Sequence, residues 1–518
     1  MMPLGASLSS PQSRLVPPHK TVLLRIRMPA PKNFLIITQV FTPDPAAVGQ
    51  YFDEAAQAIA GTGASVTVLT ANRGYDNPDE RFASKENRDG IQIRRLPLSS
   101  FGKASIPVRI FAQLSFLVQC ILRGLFTPKL TDLLVSTSPP MAAITAVIIG
   151  FFRPKLKVHY WVMDINPDQA VILGAFGPKH PLVLALDWLN RRILKRADSI
   201  IALDRFMAKR LRAKYESGKV GSEEHVDDKT GRSAVRTKYE SARSTPPEQP
   251  SHLHTFPHSN SSKADITIIP PWPMDDYLET VPHAENAFRE KQGWTDKFVV
   301  MHSGNHSLVH PLDTILDAAE KLKDDPRFVF AFIGGGKGKQ AVEDRIRKLE
   351  EGDLRPEEHS SPQPSSLSSQ VSALESQPSI ESLPYQPLDQ IKYSLSAADL
   401  HIVSLGNDMS GIVHPCKIYG ALSIGRPVLT LGPKESYLND ILKKEDRSQK
   451  SEVSQETDRA IGYAIQHGDV DAAVAALKAA AGQTQEERAA IGQRAEEVAR
   501  ERFSREQLVA QFLDTVLR

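Results

Sequence analysis

The hydrophobic positions of this chain form two successive series, in which short apolar runs alternate with helical patterns. In the first series the runs lie at 34–40, 65–70, 133–136, 158–162 and 199–203. In the second series they lie at 298–301, 328–333, 400–404 and 427–431. A helix is predicted over 51–60 in the first series and over 311–322 in the second. Runs of this length are typical of buried parallel strands. Strands that alternate with helices predict an α/β protein with two Rossmann-like domains.

Polar segments interrupt both series. Residues 216–263, 352–382 and 443–457 are rich in Ser, Glu, Lys or Pro. Such compositions bury too little apolar surface to offset the entropy lost on ordering, so we interpret all three as disordered insertions.

These interruptions set the predicted domain boundaries. An N-terminal domain spans 33–215, a C-terminal domain spans 264–502, and a C-terminal helix covers 503–518, while the prolines of 268–273 make a stiff, hinge-like connection. Residues 1–32 contain basic residues and no acidic ones. A transit peptide and an upstream start codon would both look like this, and we interpret the segment as a disordered extension.

Composition narrows the partners and the compartment. The net charge is +2, from 63 basic and 61 acidic residues, which gives no reason to expect nucleic-acid binding. Cys120 and Cys416 are the two cysteines. They offer no disulfide framework and favour a reducing, cytoplasmic location. No apolar window reaches the roughly 18 to 20 residues of a membrane span.

One helical pattern raises the question of membrane contact. Its apolar positions are Phe111, Leu114, Leu117, Val118, Ile121, Leu122 and Leu125. Arg109, Arg123 and Lys129 lie beside them. Two hypotheses stay open: peripheral contact with the inner face of a membrane, and a helix packed in the N-terminal core.

Candidate ligand sites lie in loops after strands, because open α/β sheets bind ligands at the carboxyl ends of their strands. Gly49 would let a phosphate or sugar approach the backbone, although one glycine before a helix is often only a turn. Gly304 and Asn305 expose backbone N–H groups to an anion. His306 and His310 would add positive or hydrogen-bonding groups, unless they are solvated loop histidines.

A glycine run follows the strand predicted at 328–333. It spans 334–339 and ends at Lys339, a further candidate for a phosphate contact. The run resembles a phosphate-binding loop but lacks the Walker arrangement. A flexible strand-to-helix turn is the alternative.

The segment 409–428 is the most informative loop. Ser410 and Gly411 predict flexibility, and Pro415 is a plausible first-turn residue of a helix. Lys417 then falls in that first turn, where a cation opposes the helix dipole. Its presence is explained if a nucleotide diphosphate binds there, whereas a solvated lysine is the simpler interpretation.

Six short motifs occur in an order that resembles bacterial family 4 glycosyltransferases of the GT-B fold. They are TPDPAAVGQ at 42–50, VMDINPD at 162–168, SGNH at 303–306, PYQP at 384–387, AAD at 397–399, and PCKIYG through GRPV at 415–428. The polysaccharide and O-antigen branch, of the colanic-acid type, is the most similar. The resemblance covers roughly 33–215 and 264–518, and it implies two facing Rossmann-like domains with a donor cleft between them.

The resemblance also implies an activity. The implied activity is the transfer of a sugar, with retention of its anomeric configuration, from a nucleotide-diphosphate donor to an acceptor in surface polysaccharide biosynthesis. A UDP-sugar is the favoured donor, and a glycan or polyprenyl-linked glycan is the acceptor. No cofactor or metal is implied, and the Asp-x-Asp at 469–471 is interpreted as a helix cap. Catalysis would then be positioning and leaving-group stabilisation by Lys417 and the 303–307 loop. Asp164 would act as base or acceptor ligand, or be structural, and Tyr385 would contact the donor.

The departures from the family pattern concern charge. Two glutamates found in many relatives fall at Ile412 and Gly420, and a basic pair falls at Asn305 and His310. We therefore expect Lys417, with Lys339, to supply the positive charge. Two rival functions stay open: a sugar-nucleotide 2-epimerase of the same fold, and a non-catalytic sugar-nucleotide-binding protein.

Overall fold

The computed structural model of the protein describes residues 32–44, 46–74, 79–99, 106–216, 265–273, 278–352, 379–443 and 461–518. These residues form two α/β domains, each built around a largely parallel sheet, as the alternating pattern predicted. The disordered segments predicted at 1–32, 216–263, 352–382 and 443–457 lie almost wholly outside the described residues.

The first domain contains an eight-stranded sheet with the order β3-β4-β2-β1-β5-β6-β7-β8. Its strands are β1 (Asn33–Ile37), β2 (Ser65–Ala71), β3 (Lys85–Arg88), β4 (Ile91–Leu96), β5 (Asp132–Ser136), β6 (Lys157–Trp161), β7 (Ser199–Ala202) and β8 (Asp265–Ile268). Its helices are α1 (Ala47–Gly61), α2 (Ile106–Phe126), α3 (Ala143–Phe152), α4 (Asp168–Ile172), α5 (Pro181–Arg196) and α6 (Arg205–Glu216). β3 pairs antiparallel with β4, and the other neighbours pair in parallel.

The second domain contains a six-stranded parallel sheet with the order β11-β10-β9-β12-β13-β14. Its strands are β9 (Phe298–Ser303), β10 (Phe328–Ile333), β11 (Ser379–Leu383), β12 (Leu400–Ser404), β13 (Val428–Leu431) and β14 (Gly462–Ile465). Its helices are α7 (Ala287–Lys291), α8 (Asp313–Lys321), α9 (Lys339–Gly352), α10 (Ile391–Ser396), α11 (Lys417–Ser423), α12 (Tyr437–Leu442), α13 (Val470–Gly482) and α14 (Gln485–Arg502). A last helix, α15 (Arg505–Leu517), follows.

Two strands correct the predicted segment boundaries. β8 pairs with β7 in the first sheet, although the sequence assigned residues from 264 onward to the second domain. β11 pairs with β10 in the second sheet, although 379–382 fell in a predicted disordered insertion. Both are edge strands of four or five residues beside polar segments, so neither carries a long apolar run.

The C-terminal helix α15 returns to the first domain. Phe512 is fully buried, and its ring lies 5.0 Å from that of Trp161, centroid to centroid. Trp272, in the connection between the domains, packs 5.6 Å from Trp161 and donates its indole N–H to Glu54. The connection is therefore anchored in the first core.

Helix α2 is apolar on two opposite sides. Phe116, Leu117 and Cys120 are buried in the core, whereas Leu114 and Val118 are about half exposed. The single apolar face predicted from the sequence is therefore divided, with Leu117 inside the protein. Within the described ranges, no helix is long and apolar enough to cross a membrane.

Candidate active site

The two domains touch at the carboxyl ends of their strands. The backbone N–H of Ile165, after β6, donates to the carbonyl of Ile412 at 2.9 Å. The Arg210 guanidinium on α6 donates to the carbonyl of Ser410 at 3.0 Å. The loop that precedes α11 therefore lies directly against the first domain.

Lys417 joins this loop to the one after β9. Its amine donates to the Asn305 carbonyl at 2.8 Å, and its aliphatic chain lies over Gly304. Gly304 has φ +118°, and a Cβ there would lie 2.9 Å from the Cε of Lys417. α11 begins at Lys417 itself, so Pro415 precedes the helix and is not a first-turn residue as predicted. The structure brings together Lys417, Gly304 and Asn305.

Lys417 is a cation close to three histidines that are neutral. Burial lowers the pKa of Lys417 to about 8, so the amine is still mainly protonated at pH 7. Burial, followed by the charges of Lys339 and Lys417, lowers the pKa of His306 to about 4. Burial and the Lys417 charge lower the pKa values of His302 and His310 well below the ordinary range. His306 and His310 are thus neutral, so they add no positive charge, and their predicted role as hydrogen-bonding groups stays a prediction.

The backbone of the 303–307 loop is largely used by the fold. The N–H groups of Gly304 and His306 donate to the carbonyls of Ile333 and Gly335, and that of Ser307 donates to Asn305. The predicted anion cradle of free backbone donors is therefore much reduced. Charge in this region comes from the lysines.

The glycine run after β10 is a packing surface for that loop. A Cβ on Gly334 would lie 2.0 Å from the Gly304 carbonyl oxygen, and one on Gly336 would lie 2.0 Å from the Asn305 side-chain oxygen. Lys339 donates to the carbonyls of Phe332 at 2.7 Å and Leu383 at 3.0 Å. The run is the strand-to-helix turn between β10 and α9, its glycines pack against the loop after β9, and Lys339 is held at the end of the sheet.

Tyr385 lies on the outer side of the same run. Its side chain is 55% exposed, and a Cβ on Gly335 would lie 2.9 Å from its ring. An exposed aromatic ring beside the glycine run offers a flat surface to a planar ligand group.

Ser410 and Gly411 form a domain contact where the sequence predicted flexibility. Gly411 is buried with φ +71°, and a Cβ there would lie 2.6 Å from the carbonyl carbon of Phe206. The Ser410 hydroxyl donates to the Glu435 carbonyl at 3.0 Å. Both residues therefore fasten the loop to its surroundings.

Gly49 is a packing residue. It is buried inside the first turn of α1, and a Cβ there would lie 3.1 Å from the Cα of Phe41. Phe41 occupies the Cβ side of Gly49, so packing alone explains the glycine, and the approach of a ligand to its backbone stays a prediction.

Asp164 lies on the first-domain side of the contact. The Thr137 hydroxyl accepts hydrogen bonds from the backbone N–H groups of Met163 and Asp164 at 3.1 and 3.2 Å. Burial raises the pKa of Asp164 to about 6, so the carboxyl can hold or release a proton near neutrality. It adjoins a hollow with room for about one water molecule, lined also by Asn166 and Asn190.

Cys416 is influenced electrostatically by both candidate catalytic groups, Asp164 and Lys417. Its thiol pKa is raised to about 12, first by burial and then by the Asp164 charge, while Lys417 acts in the opposite direction. The thiol is therefore protonated, and Asp164 and Lys417 both lie within electrostatic range of it.

The sequence prediction passed over a buried polar chain in this region. It links Asp204, directly after β7, with His414 and Tyr419 on either side of Lys417. The signal available was position, because Asp204 follows a predicted strand at the carboxyl edge of the sheet.

Asp469, at the predicted helix cap, accepts a hydrogen bond from the N–H of Ala472 and caps α13. That assignment is confirmed.

Comparison with known families matches residues 46–220 to the glycosyl transferase 4-like domain. The chain is 21% identical over 389 residues to the putative colanic acid biosynthesis glycosyl transferase WcaI of Escherichia coli K12. This match covers 74% of this chain and 79% of WcaI. It is 24% identical over 178 residues to the probable glycosyltransferase WbjE of Pseudomonas aeruginosa, where the match spans only 38% of WbjE and 34% of this chain.

Solved structures share the fold over nearly the whole chain. Sucrose-phosphate synthase from Thermosynechococcus elongatus has a TM-score of 0.61 at 12% identity, covering 93% of this chain and 98% of that one. HepE of Anabaena, in complex with UDP and glucose, has a TM-score of 0.56 at 13% identity, covering 93% and 99%. Together, these similarities show a glycosyl transferase 4-like domain over residues 46–220 and a GT-B fold for the chain.

Proposed function

We propose that the chain is a retaining glycosyltransferase, which moves a sugar from a UDP-sugar to a glycan or lipid-linked glycan acceptor in surface polysaccharide biosynthesis. The observation that carries the proposal is the placement of Lys417. Its amine lies at the junction of the domains, among neutral histidines, and bonds to a neutral carbonyl. A partly buried cation of this kind is suited to the diphosphate of a leaving nucleotide.

The carboxyl of Asp164 lies across the domain contact from the Lys417 loop. We assign it to the acceptor, as a base or as a ligand of a sugar hydroxyl. A carboxyl with a raised pKa near 6 suits proton transfer close to neutral pH. Retention and independence from metal are carried over from the family resemblance.

The donor and the pathway are supported by the similar proteins. HepE, which shares the fold, is described in complex with UDP-glucose. The relative that covers most of this chain is described as a putative colanic acid biosynthesis enzyme. We therefore favour a uridine nucleotide and a polysaccharide acceptor.

The activity test combines each of several UDP-, GDP-, ADP- and dTDP-sugars with a glycan or polyprenyl-linked glycan acceptor. We expect acceptor-dependent release of UDP and a product whose anomeric configuration, read by NMR, matches that of the donor. Lys417→Ala should abolish most of the release, and Lys321→Ala, at an exposed ion-paired lysine, should not. Binding of UDP-sugars without transfer to any acceptor would overturn the proposal in favour of a non-catalytic binding protein.

The same assay separates transfer from epimerisation. An epimerase would change the sugar of a UDP-sugar in the absence of acceptor. Conversion of this kind, without acceptor-dependent UDP release, would instead support the 2-epimerase.

We further propose that the exposed side of α2 and the end of α3 contact the inner face of an anionic membrane. We name this surface the apolar helix face. Its residues are Ile110, Phe111, Leu114, Val118, Leu122 and Phe126 on α2, with Phe151 and Phe152 on α3. The two helices cross closely at Gly124, where a Cβ would lie 2.4 Å from Ile149.

Charge favours a lipid surface as the occupant of the apolar helix face. Residues 97–163 contain seven Lys or Arg and one acid, Asp132, which is buried. Lys129 and Lys155 are exposed near the ends of α2 and α3. A basic residue near an anionic membrane contributes about 1 kcal/mol of attraction, and apolar side chains add to it.

Flotation with phosphatidylglycerol and phosphatidylcholine vesicles tests this contact. We expect binding to the anionic vesicles, weakened at high salt and by Leu114→Ser with Phe151→Ser. The matched control is Leu308→Ser with Leu388→Ser, exposed apolar residues of the second domain. Absence of binding, or wild-type binding by the α2–α3 variant, would contradict it. A dimer that dissociates in that variant would assign the face to a second copy.

A further inference from the structure

A chain of buried hydrogen bonds crosses from the first domain to both sides of Lys417. The Asp204 carboxylate and the Nδ1 of His414 are 2.9 Å apart, and the Nε2 of His414 and the Tyr419 hydroxyl are 2.7 Å apart. Asp204, His414 and Tyr419 are 5%, 8% and 2% exposed. Asp204 belongs to the first domain, whereas His414 and Tyr419 precede and follow Lys417 by three and two residues.

The other contacts of Asp204 and Tyr419 bear on which group donates in each of these hydrogen bonds. The other oxygen of Asp204 accepts from the backbone N–H groups of Phe206 and Met207 at 2.9 and 2.8 Å, so the carboxylate caps α6. Burial raises the pKa of Tyr419 well above its ordinary value, so its hydroxyl keeps its proton. Because a carboxylate can only accept, the Nδ1 of His414 donates to Asp204, while its Nε2 bonds to the Tyr419 hydroxyl.

The ring of His414 is also held by stacking. It lies 3.7 Å from the Tyr437 ring, centroid to centroid, at an interplanar angle of 17°. The Tyr437 hydroxyl donates to the carbonyl of Pro415 at 2.7 Å, and the Cys416 thiol contacts the carbonyl of His414 at 3.4 Å. Each residue from His414 to Cys416 is therefore fixed immediately before Lys417.

We propose that Asp204, His414 and Tyr419 form an interdomain latch whose role is to position Lys417 for the donor diphosphate. The latch connects the capped start of α6 to the start of α11. Because its two halves belong to different domains, the bond between Asp204 and His414 exists only when the domains meet. His414 and Asp204 are positioning residues that act through Lys417. This role rests on the proposed use of Lys417 in donor binding.

Two substitutions break the latch in different ways. Asp204→Asn keeps an oxygen that can cap α6 but loses the carboxylate that accepts from Nδ1. His414→Phe keeps an aromatic ring on Tyr437 but removes both hydrogen bonds. If the phenylalanine variant fails to fold, the asparagine variant still provides the test.

The first domain offers a matched control. Asp132 and the Nε2 of His159 are 3.1 Å apart, and the Nδ1 of His159 and the Ser199 hydroxyl are 2.8 Å apart. This triplet is as buried as the latch but lies within one domain. Asp132→Asn should therefore lower stability without moving Lys417.

The experiment measures hydrogen–deuterium exchange over 409–423 and calorimetric UDP affinity in each variant. We expect both latch variants to exchange faster over 409–423 and to bind UDP at least about tenfold more weakly, as for loss of a hydrogen bond to a buried charge. The double variant should be no worse than the more damaged single variant. Asp132→Asn should leave both quantities unchanged.

Unchanged exchange and unchanged UDP affinity in a folded Asp204→Asn variant would overturn the latch. Equal losses in Asp132→Asn would overturn it as well, because they would reflect general stability. If the wild type binds no UDP, the proposed function fails, and the exchange over 409–423 still decides whether the domains are latched there.

Discussion

At the scale of the residue, the decisive feature is Lys417, for which the described residues provide no carboxylate partner. Burial lowers the pKa of Lys417 to about 8, Cys416 acts in the opposite direction, and no Asp or Glu among the described residues is a cause of the shift. Burying an amine in this way costs free energy unless an opposite charge compensates it. The place is therefore suited to an anion, such as the diphosphate of the proposed UDP-sugar donor.

This pKa leads to a pH dependence of binding. Lys417 carries its charge below pH 8 and loses it as the pH rises through 8, so UDP affinity should be retained at pH 7 and fall above pH 8. Where the charged form is required, the fall approaches about tenfold per pH unit. Calorimetric UDP titrations from pH 7 to pH 9.5 measure it.

The control for that series is Lys417→Arg, whose side chain stays charged over the whole range. Its UDP affinity, even if lower, should be flat up to pH 9.5. An equally steep fall in this variant would show that another group titrates.

At the scale of the element, the site depends on the close approach of two loops after neighbouring strands. The loop after β9 carries Gly304 and Asn305, and the glycine run after β10 packs against it. Together they place the carbonyl that holds the Lys417 amine.

Gly334→Ala should disturb that packing. Gly334 has φ +129°, and the new Cβ would meet the Gly304 carbonyl oxygen at 2.0 Å. We expect a loss of at least about 1–2 kcal/mol of stability from the backbone alone, together with weaker UDP binding. Thermal unfolding and UDP titration measure the two effects. Gly177→Ala, with open space around its Cβ, should change neither, and a Gly334→Ala protein like the wild type would refute the packing role.

The sequence predicted those elements whose apolar runs are long and uninterrupted. β10 and β12 have the bounds that their patterns indicated. β4 was missed because Gln92, Arg94 and Arg95 leave it no apolar run, and Arg95 is buried against Glu86. The contact of Lys417 with Asn305 joins residues 112 positions apart, and no local pattern encodes it. The neutral state of His306 depends on burial, which only the folded chain shows.

At the scale of the whole molecule, the last described helix packs on the first domain. α15 packs on α1 of the first domain, and Phe512 closes a cluster of aromatic rings that includes Trp161 and Trp272. The second domain is thereby tied to the first at the connection and again at the C-terminus.

Phe512→Ala tests that second tie. Truncating a fully buried phenylalanine should cost about 3–5 kcal/mol of stability. Thermal unfolding should show the loss, and exchange should rise in α1 as well as in α15. Phe126→Ala, at an 80% exposed position, is the control. A small loss with no change in α1 would mean that α15 does not support the first domain.

The central claim is that Lys417 binds the diphosphate of a uridine nucleotide, and a calorimetric titration of UDP at pH 7 tests it most directly. The wild type and Lys321→Ala should bind with equal affinity, and Lys417→Ala should bind roughly 10- to 100-fold more weakly, as for loss of a charge-assisted hydrogen bond. No binding by the wild type, or equal affinity in Lys417→Ala, would contradict the account.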